Sequence, residues 1–130
     1  MIANAKSIVS TTSYGKIFSN LLDRNLYVSH FFDCPYLSSQ VELSDEREEH
    51  IIQNHPNTLP DYLEQLSETL AHPDQIRPSK HDSQALLFSK WFDTIRTGRY
   101  LIVITVSDSE TNRHWIITAY TARKLAGDIS

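Results

Sequence analysis

The chain has 130 residues, of which 40% are hydrophobic and 22% charged, values typical of one globular domain with a single core. The formal net charge of −4 argues against a general nucleic-acid binder, because such proteins owe much of their affinity to lysine and arginine. No apolar run reaches the roughly 18 residues that cross a bilayer, and no secretory signal is evident, so we expect a cytoplasmic protein without membrane contact.

The charge is unevenly distributed along the chain. Residues 1–74 sum to −7 and residues 75–130 sum to +3. The basic half favours an anion-binding surface, and ordinary scatter of surface charge is the alternative. The single cysteine, Cys34, excludes an intramolecular disulfide and a cysteine-based zinc site, and we expect it to be a small hydrophobic residue.

In chain order, residues 1–40 form an N-terminal extension and residues 41–130 the main part of one compact domain. Within the extension, Ile17, Leu21 and Leu22 have helical spacing. The aromatic stretch from Tyr27 to Phe32 is a candidate strand.

The segment "LSDEREEHIIQNHPN" predicts a first helix. Ser44 is a good N-cap, because its hydroxyl can accept from a backbone N–H that lacks a helical partner, and acidic residues follow it. The helix should end near His55, since Pro56 disfavours the α conformation of the residue before it.

A second helix is predicted from about Leu59 to His72. Thr58 would cap it, and Pro60 would lie in the first turn, where a missing N–H costs little. An apolar stripe runs along it at helical spacing, made of Leu59, Leu63, Leu66 and Leu70.

Four strands are predicted after the helices. They are "QIRPSK", an edge strand because Pro78 lacks a donor, and then "QALLFSKWF", "RYLIVITVS" and "RHWIITAYTARK". The short connections "DTIRTG" and "DSETN" suit hairpins, so the strands should be antiparallel. We therefore predict an α+β fold, with N-terminal helices packed on an antiparallel sheet of about four strands.

Alternation divides the last strand into two faces. A core face is expected from Trp115, Ile117 and Ala119. The other face carries His114, Ile116, Thr118 and Tyr120, with Arg123 just beyond it. Such a polar row is usually solvent-facing, but histidine, hydroxyl groups and arginine are also what a phosphodiester site needs.

The first helix carries two histidines. His50 stacks with Glu46 and Asn54 at a spacing of four, so it has polar neighbours. His55 is five residues further on, which does not match the spacing of zinc-chelating helix pairs, and we predict no metal site. Histidine titrates near neutral pH and suits proton transfer, although the helix C-terminus alone would also favour His55.

Four ordered segments carry a resemblance: "ELSDEREEHIIQNHP", "LSETLAHPDQIRPSK", "ALLFSKWF" and "YLIVITV…HWIITAYTARK". Over residues 41–124 they resemble the barnase–EndoU–colicin–RelE-like (BECR fold) nucleases of phages and bacteria. The resemblance implies a RelE/barnase-like fold and metal-independent RNA cleavage by attack of the ribose 2′-hydroxyl on phosphate, with no cofactor. For a toxin-type hydrolase it also implies an antitoxin or another protein partner.

The resemblance implies roles for individual residues. His50 would transfer protons, Arg77 would stabilise transition-state charge, and Thr118 or Tyr120 would position a phosphate oxygen. The residues implied to bind RNA are Arg47, His55, Lys80, Lys90, His114 and Arg123, with Trp91 or Trp115 to stack a base if exposed.

One departure and two alternatives remain. Where the family often has an aromatic residue just before the helix histidine, this chain has Glu48 and Glu49, which would repel phosphate if they faced the site. The first alternative is a non-catalytic protein-interaction module that keeps the nuclease fold and uses the N-terminal segment or a strand edge. The second is a small-ligand binder using His114, Thr118 and Tyr120.

Overall fold

The computed structural model describes residues 28–125, and the predicted helical spacing of residues 17–22 lies outside that range. The described part contains six strands and two helices. In chain order they are β1 (Val28–Cys34), β2 (Ser39–Ser44), α1 (Asp45–Asn54), α2 (Leu63–Ala71), β3 (Gln75–Pro78), β4 (Ala85–Phe92), β5 (Arg99–Asp108) and β6 (Arg113–Ala122). A short 3-10 helix, Pro35–Leu37, joins β1 to β2.

The strands form one mixed sheet in the order β1-β2-β6-β5-β4-β3. Strands β2 and β6 run parallel, with Val41 opposite His114 and Glu42 opposite Trp115, and the other neighbouring pairs are antiparallel. The predicted architecture, N-terminal helices on an antiparallel sheet of about four strands, is therefore wrong. Two strands precede the helices, and β2 enters the sheet beside a strand about seventy residues further along the chain.

The C-terminal half of the sheet agrees with the strand prediction. Strands β3 to β6 follow one another as an antiparallel meander. Residues 93–98 form the loop between β4 and β5, and residues 109–112 form the loop between β5 and β6. Strand β3, which ends at Pro78, lies at one end of the described strand order. The aromatic stretch before Cys34 is also a strand, and the Cys34 side chain is buried.

The helices contribute a compact set of apolar residues to the core. Helix α2 contacts β1, β4 and β5, and α1 contacts β1, β2 and β6. Ile51, Leu66 and Leu70 from the helices pack with Phe88 and Val103 from the sheet, and all five are fully buried. Each such side chain contributes about 1.5–3 kcal/mol through the hydrophobic effect.

Helix α1 begins as predicted, since the Ser44 hydroxyl accepts from the Arg47 N–H at 3.1 Å. Helix α2 does not begin at Leu59. Residues 56–62 form turns, and regular helix starts at Leu63. The Leu59 side chain is nevertheless fully buried, so it joins the core from the turn.

A β-bulge changes which residues of β6 share a face. Thr118 pairs with Ile104, but Thr105 pairs with Ile116, so Ile117 is an extra residue. Ile116 and Ala119 consequently lie together in the core cluster. The predicted core residues Trp115, Ile117 and Ala119 are all buried, but Trp115 and Ile117 are not part of that cluster, so the three do not form one core face. The bulge also places His114 and Tyr120 on opposite faces, which breaks up the predicted polar row.

Candidate functional site

Helix α1 lies beside the part of β6 that β2 does not reach. The pairing of β2 with β6 involves only His114 and Trp115 on β6, so the carbonyl of the bulged Ile117 lies beyond it. The Arg47 guanidinium donates to that carbonyl from Nη2 at 2.6 Å and from Nε at 3.1 Å. Arg47 thereby joins α1 to the edge of β6, a contact different from the predicted RNA binding.

The end of α1 brings His55 to the C-terminal part of β6. The His55 N–H donates to the Ile51 carbonyl at 2.7 Å, and the Thr58 N–H donates to the His55 carbonyl at 2.9 Å, so the chain turns directly after the helix. The His55 and Tyr120 rings then lie with their centroids 5.7 Å apart and their planes tilted by 35°. Two residues distant in sequence therefore form one aromatic pair.

This pair belongs to an open pocket of about 320 Å³. The pocket is lined by the end of α1 and the following turn, by the β4–β5 loop and by the end of β6. Its lining residues are Asn54, His55, Pro56, Asn57, Thr58, Arg96, Tyr120 and Thr121. The volume is at the low end of the range for small-molecule sites, roughly 300–1,000 Å³.

Four polar side chains of the pocket are available to a ligand. Within residues 28–125, the side chains of His55, Arg96 and Tyr120 have no hydrogen-bond partner. The same holds for the hydroxyl of Thr58, although that residue is only 2% exposed. A cation, an imidazole and two hydroxyl groups thus converge without satisfying one another, a combination suited to an anionic, oxygen-rich ligand.

His50 lies next to the pocket rather than in its lining. The Asn54 side-chain amide donates to the backbone carbonyl of His50 at 2.9 Å, and its nitrogen lies 3.2 Å from Nδ1 of the His50 ring. Burial lowers the pKa of His50 below its usual 6.5, and the nearby Arg47 and His55 lower it further, while Glu46 raises it. The net effect favours the neutral form of the His50 imidazole.

The acidic residues before His50 have partners of their own. Glu48 lies 3.5 Å from His30 Nε2 on β1, and Glu49 accepts from the Gln53 amide at 3.3 Å. Neither lines the pocket. The repulsion of phosphate expected from these two carboxylates is consequently reduced at the pocket.

Arg77 is remote from the histidines. It lies on β3, in a cross-strand row that continues through Leu87 and Ile104 to Thr118. Three strand spacings of about 4.8 Å put its backbone roughly 14 Å from that of Thr118. The structure thus separates Arg77 from the His55–Tyr120 pair, and Thr118 is half-buried outside the pocket lining.

The other predicted RNA-binding residues are also dispersed. Lys80 is exposed between β3 and β4, and Arg123 is exposed after β6. Lys90 donates to the His72 carbonyl at 2.9 Å, and its Nζ lies 3.5 Å from Asp74 Oδ1. Trp115 is 1% exposed and is not available to stack a base, whereas Trp91 is 39% exposed.

The buried His114 side chain hydrogen-bonds to two neighbouring side chains. Its Nδ1 lies 2.6 Å from Ser107 Oγ, and its Nε2 lies 3.2 Å from Asn112 Oδ1. Since the amide oxygen can only accept, Nε2 carries the proton and Nδ1 accepts from the serine. Burial lowers the pKa of His114, against an opposing effect of Glu42. This arrangement holds the end of the β5–β6 hairpin.

Sequence reasoning missed Arg96, Asn57, Thr58 and Thr121 as pocket residues. Arg96 lies in "DTIRTG", a pattern that predicts only a hairpin loop, and its neighbours in the pocket come from distant segments. The basic character of residues 75–130 was the one available signal.

Comparisons with protein-family models, curated proteins and solved structures find no match for this chain. Among residues 28–125, no helix is long and apolar enough to cross a membrane. The same residues contain no cluster of three or more histidine, cysteine or acidic side chains that could hold a metal ion.

Proposed function

We propose that the protein is a metal-independent endoribonuclease whose reactive centre is the pocket containing His55 and Tyr120. The observation that carries the proposal is the 5.7 Å approach of the two rings inside a pocket that also contains Arg96. A proton acceptor, a hydroxyl proton donor and a cation are the three groups that cleavage of a ribose phosphodiester requires.

The proposed reaction balances with these groups alone. The His55 imidazole accepts the proton of the ribose 2′-hydroxyl while the 2′-oxygen attacks the adjacent phosphorus. The bond from phosphorus to the 5′-oxygen breaks, and the Tyr120 hydroxyl gives its proton to that oxygen. The products are a 2′,3′-cyclic phosphate and a 5′-hydroxyl end, and the proton held by imidazolium returns to the phenolate through solvent.

Arg96 supports the step by its charge. The non-bridging oxygens gain negative charge as the phosphorus becomes five-coordinate, and a guanidinium can donate to two of them at once. Thr58 and Thr121 add hydroxyl groups at the same pocket. The requirement for a 2′-hydroxyl makes RNA, and not DNA, the substrate.

The proposal differs in detail from the roles that the family resemblance implied. His55 takes the proton-transfer role given to His50, because His55 is the histidine that contacts Tyr120. Arg96 takes the role given to Arg77, because Arg77 lies on β3, which β4 and β5 separate from β6 in the strand order. His50 remains a neighbour, connected to the pocket through Asn54.

The test uses a mixed-sequence RNA oligonucleotide in EDTA and a matched oligonucleotide with 2′-deoxyribose throughout. We expect the wild-type protein to cut only the RNA and to leave 2′,3′-cyclic phosphate ends, detectable by mass spectrometry. Tyr120→Phe should reduce the rate by about 10²–10⁴-fold, the usual size of a general-acid contribution. Cleavage of the deoxy strand, or an unchanged rate in Tyr120→Phe, would contradict the mechanism.

A second candidate is a non-catalytic module that binds an extended protein segment along β1. Strand β1 lies at one end of the described strand order, and its Phe31 side chain is 53% exposed. A strand edge that pairs with no other strand of residues 28–125, and that carries an exposed aromatic residue, suits strand addition. This candidate predicts a partner whose binding is lost in Phe31→Ser, while His55→Ala leaves that binding unchanged.

A further inference from the structure

The β4–β5 loop, residues 93–98, holds Arg96 at the pocket in an unusual backbone conformation. Arg96 has φ of 57°, in the left-handed region that residues with a side chain seldom adopt. Residues in this conformation persist when their surroundings determine it, and they concentrate at binding and catalytic sites. The surroundings of Arg96 can be identified one by one.

The loop is fixed on both sides of Arg96. The Gly98 N–H donates to the Ile95 carbonyl at 2.8 Å, closing a turn that contains Arg96. Ile95 is fully buried in the core, so the turn is anchored at its first residue. Arg99 donates to the Gly98 carbonyl at 2.8 Å, which fixes the turn at its last residue.

Gly98 is required by two independent features. Its φ of 111° is a conformation that other residues rarely adopt. In addition, a Cβ atom at this position would lie 2.6 Å from Cζ2 of Trp91, closer than any real contact. The backbone of the loop therefore lies directly against the Trp91 ring.

Trp91 is itself held from several directions, despite being 39% exposed. Its indole N–H donates to Asp93 at 2.6 Å, and its backbone N–H donates to Asp74 at 2.8 Å. Its ring packs edge to face on Tyr100, with the centroids 5.0 Å apart. This network uses the indole to support the loop, in contrast to the base-stacking role expected from the sequence.

We propose that the loop of residues 93–98 is a preformed phosphate-binding arm, in which Arg96 binds the ligand and Trp91 and Gly98 are positioning residues. This inference rests on the proposed function, because it assigns the phosphodiester of RNA to the pocket. A preformed arm loses little conformational freedom when phosphate binds. The cost of ordering the loop therefore offsets little of the electrostatic attraction between Arg96 and the phosphate.

The experiment measures binding separately from cleavage. The probe is a fluorescein-labelled oligonucleotide with 2′-deoxyribose throughout, which the proposed mechanism cannot cut, and its affinity is followed by anisotropy over a range of salt concentrations. Arg96→Ala should weaken binding about tenfold and reduce the slope of log affinity against log salt by roughly 0.7, the value for one lost contact to single-stranded phosphate. Thr94→Ala, an exposed change in the same loop, should alter neither quantity.

A double-mutant cycle tests the positioning roles. Gly98→Ala should reproduce much of the Arg96→Ala loss, and it should add nothing further in a chain that already carries Arg96→Ala. If Gly98→Ala does not fold, Trp91→Phe provides the same cycle, because it removes the atoms that face Gly98. Equal effects in both backgrounds, or full affinity in a folded variant, would overturn the positioning roles.

The outcomes separate this inference from the proposed function. Binding that depends on Arg96, together with RNA left uncut, would support the phosphate-binding role of the loop and contradict the endoribonuclease activity. Cleavage of RNA that is unaffected by Arg96→Ala would support the endoribonuclease activity and contradict the phosphate-binding role of the loop. Failure of the deoxy oligonucleotide to bind at all would overturn the arm.

Discussion

His55 and Tyr120 lie 65 positions apart in the chain, yet their rings meet with centroids 5.7 Å apart. Two local features produce the contact. Pro56 follows the end of α1 and turns the chain after His55, and the bulge at Ile117 resets the alternation of β6 before Tyr120. The contact is therefore a consequence of how one helix ends and how one strand is irregular.

The first prediction concerns Arg47, whose two hydrogen bonds hold α1 to the Ile117 carbonyl. Arg47→Leu should lower the free energy of unfolding by about 1.5–3 kcal/mol, since a charged donor is lost and the carbonyl is left without it. Urea unfolding followed by circular dichroism measures the change. The exposed Arg123→Leu is the control, with an expected change within about 0.5 kcal/mol. Equal effects at the two positions would show that Arg47 does not join helix to strand.

The second prediction concerns the core under α2. Leu66→Ala should cost about 2–5 kcal/mol, because the fully buried side chain leaves a cavity that the surrounding residues only partly fill. Leu63→Ala removes the same atoms from a half-buried position on the same helix and should cost less. Denaturant midpoints of the two variants provide the comparison. A larger loss from Leu63→Ala would place the core on the wrong side of the helix.

The third prediction is a pH dependence that originates at His114. Its folded-state pKa lies below 6.5, chiefly through burial, so below that value the unfolded chain binds a proton that the folded chain does not. Stability should therefore fall as the pH decreases through 6.5, by at most about 1.4 kcal/mol per pH unit, until the folded-state pKa is reached. Above 6.5 the group is neutral in both states and contributes no slope.

The variant His114→Gln isolates this effect. It should lose less stability than the wild-type protein between about pH 7 and about pH 5, because the titrating group is gone. His50, whose pKa is also lowered, is present in both proteins and cancels in the comparison. Parallel stability curves for the two proteins would contradict the assignment.

Local sequence signals identified much of the fold. The cap at Ser44, the end of α1 at His55 and the four strands β3 to β6 all follow from side-chain chemistry within a few residues, and each agrees with the structure. Strand β2 was missed because it is six residues long, and its parallel partner β6 is about seventy residues away. A local sequence pattern does not indicate the parallel pairing of β2 with β6, and so it does not predict the mixed sheet.

The site was less accessible to sequence reasoning than the fold. The bulge at Ile117 inserts one residue into β6, and one residue is enough to exchange the two faces of a strand. Arg96 depends on a positive φ and on the contact of Gly98 with Trp91, neither of which is visible from composition. His55 was recognised as a candidate, but only the tertiary structure distinguishes it from His50.

The most direct measurement of the central claim compares three histidine variants in RNA cleavage with EDTA present. His55→Ala removes the proposed base, His50→Ala removes its neighbour, and His81→Ala removes an exposed histidine of the β3–β4 loop, with folding of each checked by circular dichroism. We expect kcat/KM to fall by about 10²–10⁴-fold in His55→Ala, to fall less in His50→Ala and to remain unchanged in His81→Ala. RNA left intact by the folded wild-type protein, or cleavage that survives His55→Ala, would contradict the claim that the His55–Tyr120 pair is the reactive centre.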